Sequence, residues 1–559
     1  MRVRTRILNP AALTSLLASG ISPLLARLYA ARGVSDFAEC QTTSANLLPP
    51  DDLYGSRAMA ECLADAIVQQ QKILVIGDYD ADGATATTVA VRGLRALGAQ
   101  VDFLVPNRFE YGYGLTPEIV ELAASRYAPH IILTVDNGIA SIEGVEMANT
   151  LGIGVLVTDH HLPASQLPNA LVIVNPNQPA CRFASKHLAG VGVMFYVLLA
   201  LRCELKRRGI WRGTFNLASL LDLVALGTVA DLVKLDTNNR ILVDQGLRRI
   251  RAGASCYGIL ALFTVSAKSY LHANVHDIGF SLAPRLNAAG RLDDMSIGIR
   301  CLLADSQTQA DELAQQLNRL NNSRKEIESQ MHTDCELTLD DTEVQQQYSL
   351  SVYQTGWHQG VVGILASRLK ARYYRPVIAF ADAGDGVLKG SGRSIANFHL
   401  RDALDVMSKQ APDLLLKFGG HAFAAGVSIK ALDFERFRLG FEQVARHQLT
   451  EVDLHEFVEI DGGLSLAEMS IDNAQLLMRQ VWGQGFVAPL FCDDFIVIDQ
   501  QILAGTHSRL KLKKQGRLFE AIYFRYIDIL PAQVTLLYEL GLHYYQGRAS
   551  VQLKIQQCV

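Results

Sequence analysis

Several familiar signatures are missing from this chain. Its nine cysteines are scattered over 559 residues without a Cys-x-x-Cys pair. An odd, dispersed set of this kind excludes a disulfide framework and a zinc site of the usual spacing, and predicts a reducing compartment. Long apolar runs are absent too. The most apolar stretch, Leu188 to Leu201, falls short of the ~20 residues that a membrane helix needs. Met1-Arg2-Val3-Arg4-Thr5-Arg6 is followed by no extended apolar core, so no secretory signal is expected and the predicted location is cytoplasmic. Neither sign of charge dominates: 52 basic against 56 acidic residues leave a net charge of −4. Any nucleic-acid binding must therefore rest on local basic surfaces. With 49% hydrophobic and 19% charged residues the chain is ordered and globular. Its length suits about three or four domains.

The stretch that organises the chain is Ile73-Leu74-Val75-Ile76-Gly77-Asp78-Tyr79-Asp80-Ala81-Asp82-Gly83. The apolar, β-branched half reads as a buried strand. The second half reads as a loop with three carboxylates at alternate positions, and converging carboxylates need a hard divalent cation such as Mg²⁺ or Mn²⁺. A calcium loop shares the opening spacing, but its twelfth position must be a bidentate Glu and here is Val89. An acidic solvated turn is the plain alternative.

The neighbouring text argues against that alternative. Strands are predicted at 73–77, 101–105, 131–135, 154–158 and 171–174, with helices over about 84–97, 116–127 and 140–150, the alternation of a parallel sheet. Asp136-Asn137-Gly138 follows the third strand and Asp159-His160-His161 the fourth. These are strand ends at which open α/β sheets bind ligands. Phe215 to Leu232 carries two acids in apolar surroundings, Asp222 and Asp231. One of them is expected as a further ligand, with Asp231 preferred because it follows a helix end or turn. In Pro284-Arg285-Leu286-Asn287-Ala288-Ala289-Gly290-Arg291, taken as loop-prone, Arg285, Asn287 and Arg291 suit phosphate recognition, although structural ion pairs are an equal alternative.

Residues 1–70 read as a helical segment packing on a parallel-sheet domain over 71–300. An exposed connecting helix covers 301–348, a smaller α/β domain 349–448 and an all-β barrel 449–559. In the smaller domain Gly390-Ser391-Gly392-Arg393 and Gly419-Gly420-His421 combine glycine with Ser391, Arg393 and His421, which lets backbone N–H groups and a guanidinium approach an anion. In the barrel, Arg509-Leu510-Lys511-Leu512-Lys513 places leucines inside a strand and Arg509, Lys511 and Lys513 in a basic outer row suited to single-stranded nucleic acid.

The order GDYDADG, VDNG, TDHH, GTVAD, then PRLNAAGRL, GSGRS and FGGHAFAAG resembles the DHH phosphoesterase superfamily, and within it the bacterial single-strand-specific 5′→3′ exonucleases. The resemblance implies a DHH domain, a DHH-associated domain and a C-terminal oligonucleotide-binding (OB) barrel. It implies two Mn²⁺ or Mg²⁺ ions held by Asp80, Asp82, Asp136, His160 and Asp231, with Asp78 and His161 close enough to touch a metal or substrate. Asp136, His160 and His161 are the catalytic candidates, His161 as general acid or phosphate donor. Arg108, Ser391 and Arg393 are placed near a 5′-phosphate, and Arg285 and Arg291 along the strand path. The implied activity is release of 5′-mononucleotides from single-stranded DNA in recombination and mismatch repair. The expected enzyme is a monomer working with single-strand-binding protein and a RecQ-type helicase. Rival expectations are a superfamily member acting on small phosphodiesters or pyrophosphate, and a non-catalytic DNA-binding scaffold.

Overall fold

The structure, a computed structural model, describes residues 2–545 and 548–559, apart from the side chains of 108, 109, 544 and 545. Two compact units divide it: 5–318 with 459–559, and 319–458 with the first few residues. The 32-residue helix Gln307–Thr338 runs through the division. It is less exposed than its polar text predicts. A stripe of Ala310, Ala314, Leu317, Met331 and Cys335 is buried, because small apolar residues at helical spacing define a face even when outnumbered.

In the first unit, β1 (Lys72–Gly77), β2 (Gln100–Leu104), β3 (Ile131–Val135), β4 (Gly154–Thr158) and β5 (Val172–Val174) form a parallel sheet in the order 2-1-3-4-5. Ile73 pairs with Ile131 and Ile132 with Val155, so the apolar runs stack in register. Leu74, Ile76, Ile132, Val155 and Val157 pack with Ile119, Val120 and Val145 of the covering helices. At ~1.5–3 kcal/mol for each large apolar side chain removed from water, this core holds the strand ends rigidly. The strand order reverses direction between β1 and β3, and a crevice opens at such a switch point. Asp78–Asp82 and Asp136 leave those two strands.

The N-terminal segment also fastens the region leading into the barrel. Arg32 makes a bidentate pair with Asp461 at 2.7 and 2.9 Å and lies 5.1 Å from the Trp482 ring, while the Tyr29 hydroxyl donates to Gln480 Oε1 at 2.6 Å.

The second unit holds a five-stranded sheet of β6 (Leu350–Tyr353), β7 (Val377–Asp382), β8 (Val387–Arg393), β9 (Lys417–Gly420) and β10 (Ala424–Lys430), in the order 9-10-8-7-6. Only β6 and β7 run parallel. In the first unit β11 (Phe491–Leu503), β12 (His507–Lys514), β13 (Arg517–Tyr523), β14 (Gln533–Tyr545) and β15 (Arg548–Cys558) close into a barrel in the order 11-12-13-15-14. Thus the α/β class with an all-β C-terminal barrel is borne out. Among the described residues no helix is long and apolar enough to cross a membrane.

Candidate metal centre

The aspartate stretch is a loop only in part: Asp78 and Tyr79 leave β1 as loop, and the helix begins directly after Asp80. Asp80 is the N-cap of helix Ala81–Ala96, accepting from Gly83 N at 2.9 Å, and Asp82 lies in the first helical turn. Helix N-termini favour carboxylates because their first amides lack partners and their dipole ends are positive. Asp82 is 1% exposed. Its two oxygens accept from Gly190 N at 2.6 Å and Val191 N at 3.0 Å, at the start of helix Gly190–Arg207. Two helix starts therefore aim one carboxylate. Gly227 makes the close approach possible, since a Cβ there would sit 2.7 Å from Asp82 Oδ1.

Asp136 follows β3 with a φ of 63°, a left-handed conformation that turns its side chain back over the strand end. Asp231 caps the C-terminus of helix Leu221–Ala230. His160 reaches between them, its Nε2 3.0 Å from Asp136 Oδ1 and 3.5 Å from Asp231 Oδ2. Three overlapping groups result: Asp78, Asp80 and Asp136; Asp82, His160 and Asp231; and Asp136, His160 and His161. Within each, one ligand atom per residue lies within 4.8 Å of the others.

The electrostatics suit a cation. Burial, then the charges of neighbouring aspartates, pushes Asp136 well above the usual carboxylate range. Burial first, and Asp231 next, raises Asp82 to about 7, while burial and Asp80 raise Asp231 to about 7. Two carboxylates about 4 Å apart repel by roughly 4 kcal/mol at an effective dielectric of about 20. The buried Asp136 Oδ1 and His160 Nε2 make no hydrogen bond, although each faces the other. Atoms with lone pairs, buried and converging without donors, fit a hard divalent ion.

The two histidines carry opposite roles. His160 is held below its ordinary pKa by burial and then by the neighbouring His161 charge, leaving a neutral imidazole. Burial alone would lower His161 as well, but the hydrogen bond and charge of Asp159 raise it to about 9. Asp159 is buried and was not singled out from the sequence as a site residue. It accepts from His160 N at 2.7 Å, His161 N at 3.1 Å and Ile139 N at 2.9 Å, and pairs with His161 Nδ1 at 2.7 Å. Asn177 and Asn175 add support by donating to the His160 and His161 carbonyls at 2.5 and 2.9 Å. Their places, 14 to 17 residues downstream, carry no local signal. Tyr113 also escaped sequence reasoning; its hydroxyl lies 3.2 Å from His161 Nε2.

Asp222 lies outside this constellation. It is fully buried, and its oxygens accept from Leu223 N and Cys256 N at 2.9 Å each.

The arginine motif departs from the loop expectation, because Ala283–Leu292 is a helix. Pro284 is compatible with a first turn, and Leu286 and Ala289 supply buried positions. Asn287 Oδ1 accepts from Ala81 N at 2.8 Å, clamping the aspartate stretch from behind. A Cβ at Gly290 would overlap the Tyr79 carbonyl oxygen. Arg285 is buried and donates to the carbonyls of Ser281 and Val265 and to Asn318 Oδ1. Arg291 stands half-buried in the last turn.

In the second unit, Ser391 and Arg393 share β8, and Arg393 Nη1 donates to Ser391 Oγ at 3.2 Å and Gly392 O at 2.7 Å. Gly363 brings the start of helix Val362–Tyr373 beside them. Ala424 and Gly426 of β10 pair with Arg393 and Ser391, and exposed His421 lies in the β9–β10 turn of that hairpin. The Arg108 side chain lies outside the described residues.

On the barrel, Leu510 and Leu512 point inward while Arg509, Lys511 and Lys513 are exposed. The outer row is not purely basic. Lys511 stands in register between Asp499 and Glu520, and Arg509 pairs with Glu520 at 3.1 Å. Lys514 turns inward to Asp493 at 2.6 Å.

A 2-1-3-4-5 sheet with DYDADG, DNG and DHH at successive strand ends is the arrangement of a DHH-type phosphoesterase. Accordingly, the model of the DHH family N-terminal domain matches residues 72–228, that of the DHHA1 domain 345–446, and that of the RecJ OB domain 460–557. The single-stranded-DNA-specific exonuclease RecJ of Salmonella typhimurium is 48% identical, over 97% of this chain and 96% of that protein. Its Escherichia coli counterpart is 47% identical over the same shares. Crystal structures of RecJ from Thermus thermophilus in complex with Mn²⁺ and Mg²⁺ superpose with TM-scores of 0.83 and 0.78, at 30% and 29% identity. They cover 100% of this chain and 79% and 78% of theirs. The chain belongs to the RecJ family.

Proposed function

We propose that the chain is a single-stranded-DNA-specific 5′→3′ exonuclease that releases 5′-mononucleotides with two divalent ions, Mn²⁺ or Mg²⁺. The observation that carries this reading is the pair of buried, unbonded ligand atoms Asp136 Oδ1 and His160 Nε2, 3.0 Å apart within a ring of aspartates. Asp80, Asp82, Asp136, His160 and Asp231 would hold the ions, with Asp78 at the edge of the set. When bound, such ions place positive charge between an attacking hydroxide and an anionic phosphodiester, and neutralise the charge that develops in the transition state. The protein's own part is orientation. Amides of Gly190 and Val191 preset Asp82, and Asp159 with Asn177 presets His160. His161 keeps Nδ1 on Asp159 and directs Nε2 to the Tyr113 hydroxyl, 3.2 Å away, a partner it would exchange for a phosphate or leaving oxygen.

Ser391 and Arg393 offer a hydroxyl and a guanidinium for a terminal 5′-phosphate, an arrangement that counts from a strand end. Lys511 and Lys513 offer contacts to the following phosphates. The RecJ relatives and the barrel's OB character support a DNA strand over a small phosphodiester, and the complete ligand set supports catalysis over a scaffold role. The enzyme acts as a monomer in recombination and mismatch repair, beside single-strand-binding protein and a RecQ-type helicase.

Single-stranded DNA labelled at either end and incubated with the protein and Mn²⁺ tests this. Mononucleotides released from the 5′ end are the expected result. Cleavage of dinucleotides alone, or no cleavage, would overturn the reading.

A further inference from the structure

Against the helix that ends at Asp231 lies an aromatic feature that this function has not used. The segment after Asn274 forms a short turn at Val275–Asp277, then a wide π-helical turn at Ile278–Leu282 before helix Ala283–Leu292. Single π turns are uncommon and recur at functional sites. This one carries Phe280, 73% exposed, although phenylalanine is usually buried. Its inner face is covered by the His276 imidazole, stacked at 4.6 Å and 29°. Its outer face is open.

The position of the turn follows from its packing. A Cβ on Gly279 would be in ordinary contact, at 3.6 Å, with Val229 Cγ1 in the last turn of helix Leu221–Ala230. That helix ends at Asp231, whose successor Leu232 is 69% exposed and held at a φ of 57°. On the other side His276 feels the charges of Lys554 and Glu539, paired residues on β15 and β14 of the barrel. Burial, followed by the Lys554 charge, lowers the His276 pKa, so its ring is neutral at pH 7 and stacks as an apolar surface. Lys268, 3.6 Å from Asp277, adds a second cation beside the turn. A flat apolar ring, braced from behind, matches the face of a nucleobase; because Lys554 stands opposite Glu539 and Lys268 beside Asp277, the contact is one of stacking rather than of charge.

We propose that Phe280, braced by His276, is a base-stacking platform for the substrate strand beside the helix that ends at Asp231. The proposal rests on the nuclease reading above and adds a specific contact to it. Stacking on one aromatic side chain contributes ~1–3 kcal/mol per base and tolerates every base, because each has a π-face.

The test uses the full-length protein in excess EDTA, which prevents cleavage, and single-stranded oligonucleotides carrying 2-aminopurine at successive positions from the 5′ end. The wild type is expected to quench 2-aminopurine at one or two adjacent positions. Phe280→Ala should abolish that quenching and weaken binding by about 5-fold or more, whereas Phe280→Trp should restore both. Because the side chain is exposed, the melting temperature of all three proteins should agree. Equal affinity and unchanged quenching in Phe280→Ala would refute the platform. The platform is equally refuted if Phe280→Trp fails to restore a loss seen in Phe280→Ala while its melting temperature is normal. A wild type that neither binds nor degrades single-stranded DNA would instead refute the nuclease reading, so the two failures are distinguishable.

Discussion

Replacing Asp159 with asparagine removes a charge and retains the shape of the side chain. In the wild type this buried carboxylate faces three backbone amides and the His161 ring; against burial, and with smaller help from the charges of Asp231 and Asp78, it raises His161 from an ordinary 6.5 to about 9. At 1.36 kcal/mol per pKa unit, that interval corresponds to roughly 3 kcal/mol of preference for the imidazolium in the folded state. The ring is 33% exposed, so solvent screening reduces the expected value to roughly 2 kcal/mol. The sign follows from linkage. A folded-state pKa raised above the unfolded one stabilises fully below pH 6.5, and that contribution is lost as pH rises through about 9. Metal-free wild type should therefore exceed Asp159→Asn in stability by its largest margin near pH 6, with the margin shrinking by roughly 2 kcal/mol towards pH 9.5. Urea unfolding in EDTA across this range measures the margin, and NMR titration reads His161 directly. In the variant the His161 pKa should fall from about 9 towards its ordinary value. A His161 that titrates identically in both proteins, or a margin independent of pH, would refute the reasoning.

Further outcomes follow from the same geometry. Asp136→Ala should abolish nuclease activity while retaining DNA binding. It should also lose the rise in melting temperature that saturating Mn²⁺ produces in the wild type, a stabilisation of about 2.7 kcal/mol at 100 times Kd; scanning fluorimetry checks this. Gly290→Ala should force helix Ala283–Leu292 away from the Tyr79 carbonyl, costing about 1–3 kcal/mol and raising the Mn²⁺ concentration needed for half-maximal activity. Neutralising both Lys511 and Lys513 should lower the slope of log affinity against log salt by up to about 1 for each phosphate that is no longer neutralised. Arg509→Gln should change it less, because Glu520 already balances that charge.

How much of this was legible in the sequence depends on the distance over which each fact is decided. Short apolar runs alternating with helical text disclose β1 to β5, since a parallel strand buried on both faces must be apolar throughout. Asp78, Asp80, Asp82, Asp136 and His160 were visible for the same local reason: each follows such a run, and strand ends in open sheets meet the ligand. The leucine–lysine alternation of β12 likewise reports its two faces through the two-residue period of a strand.

Other facts depend on partners remote in the chain. Asp222 and Asp231 sit in similar apolar text, yet one accepts from Cys256 N and the other faces His160 from a distant segment of the chain. Packing of helix Leu221–Ala230 through Gly227 decides which is which. Arg285 and Asn287 carry the composition of a phosphate loop, but helix formation turns Asn287 onto Ala81 and buries Arg285 among carbonyls. The basic row of β12 is tempered by acids on both neighbouring strands, a matter of register that no single strand contains. Sequence by itself determined the sheet, the barrel class and the divalent-metal chemistry, because periodicity and strand-end motifs are local. Tertiary structure alone decided which carboxylates converge, which arginines are structural, and which phenylalanine is left exposed against the His276 ring. Those outcomes depend on side chains that folding brings together from segments far apart in the chain.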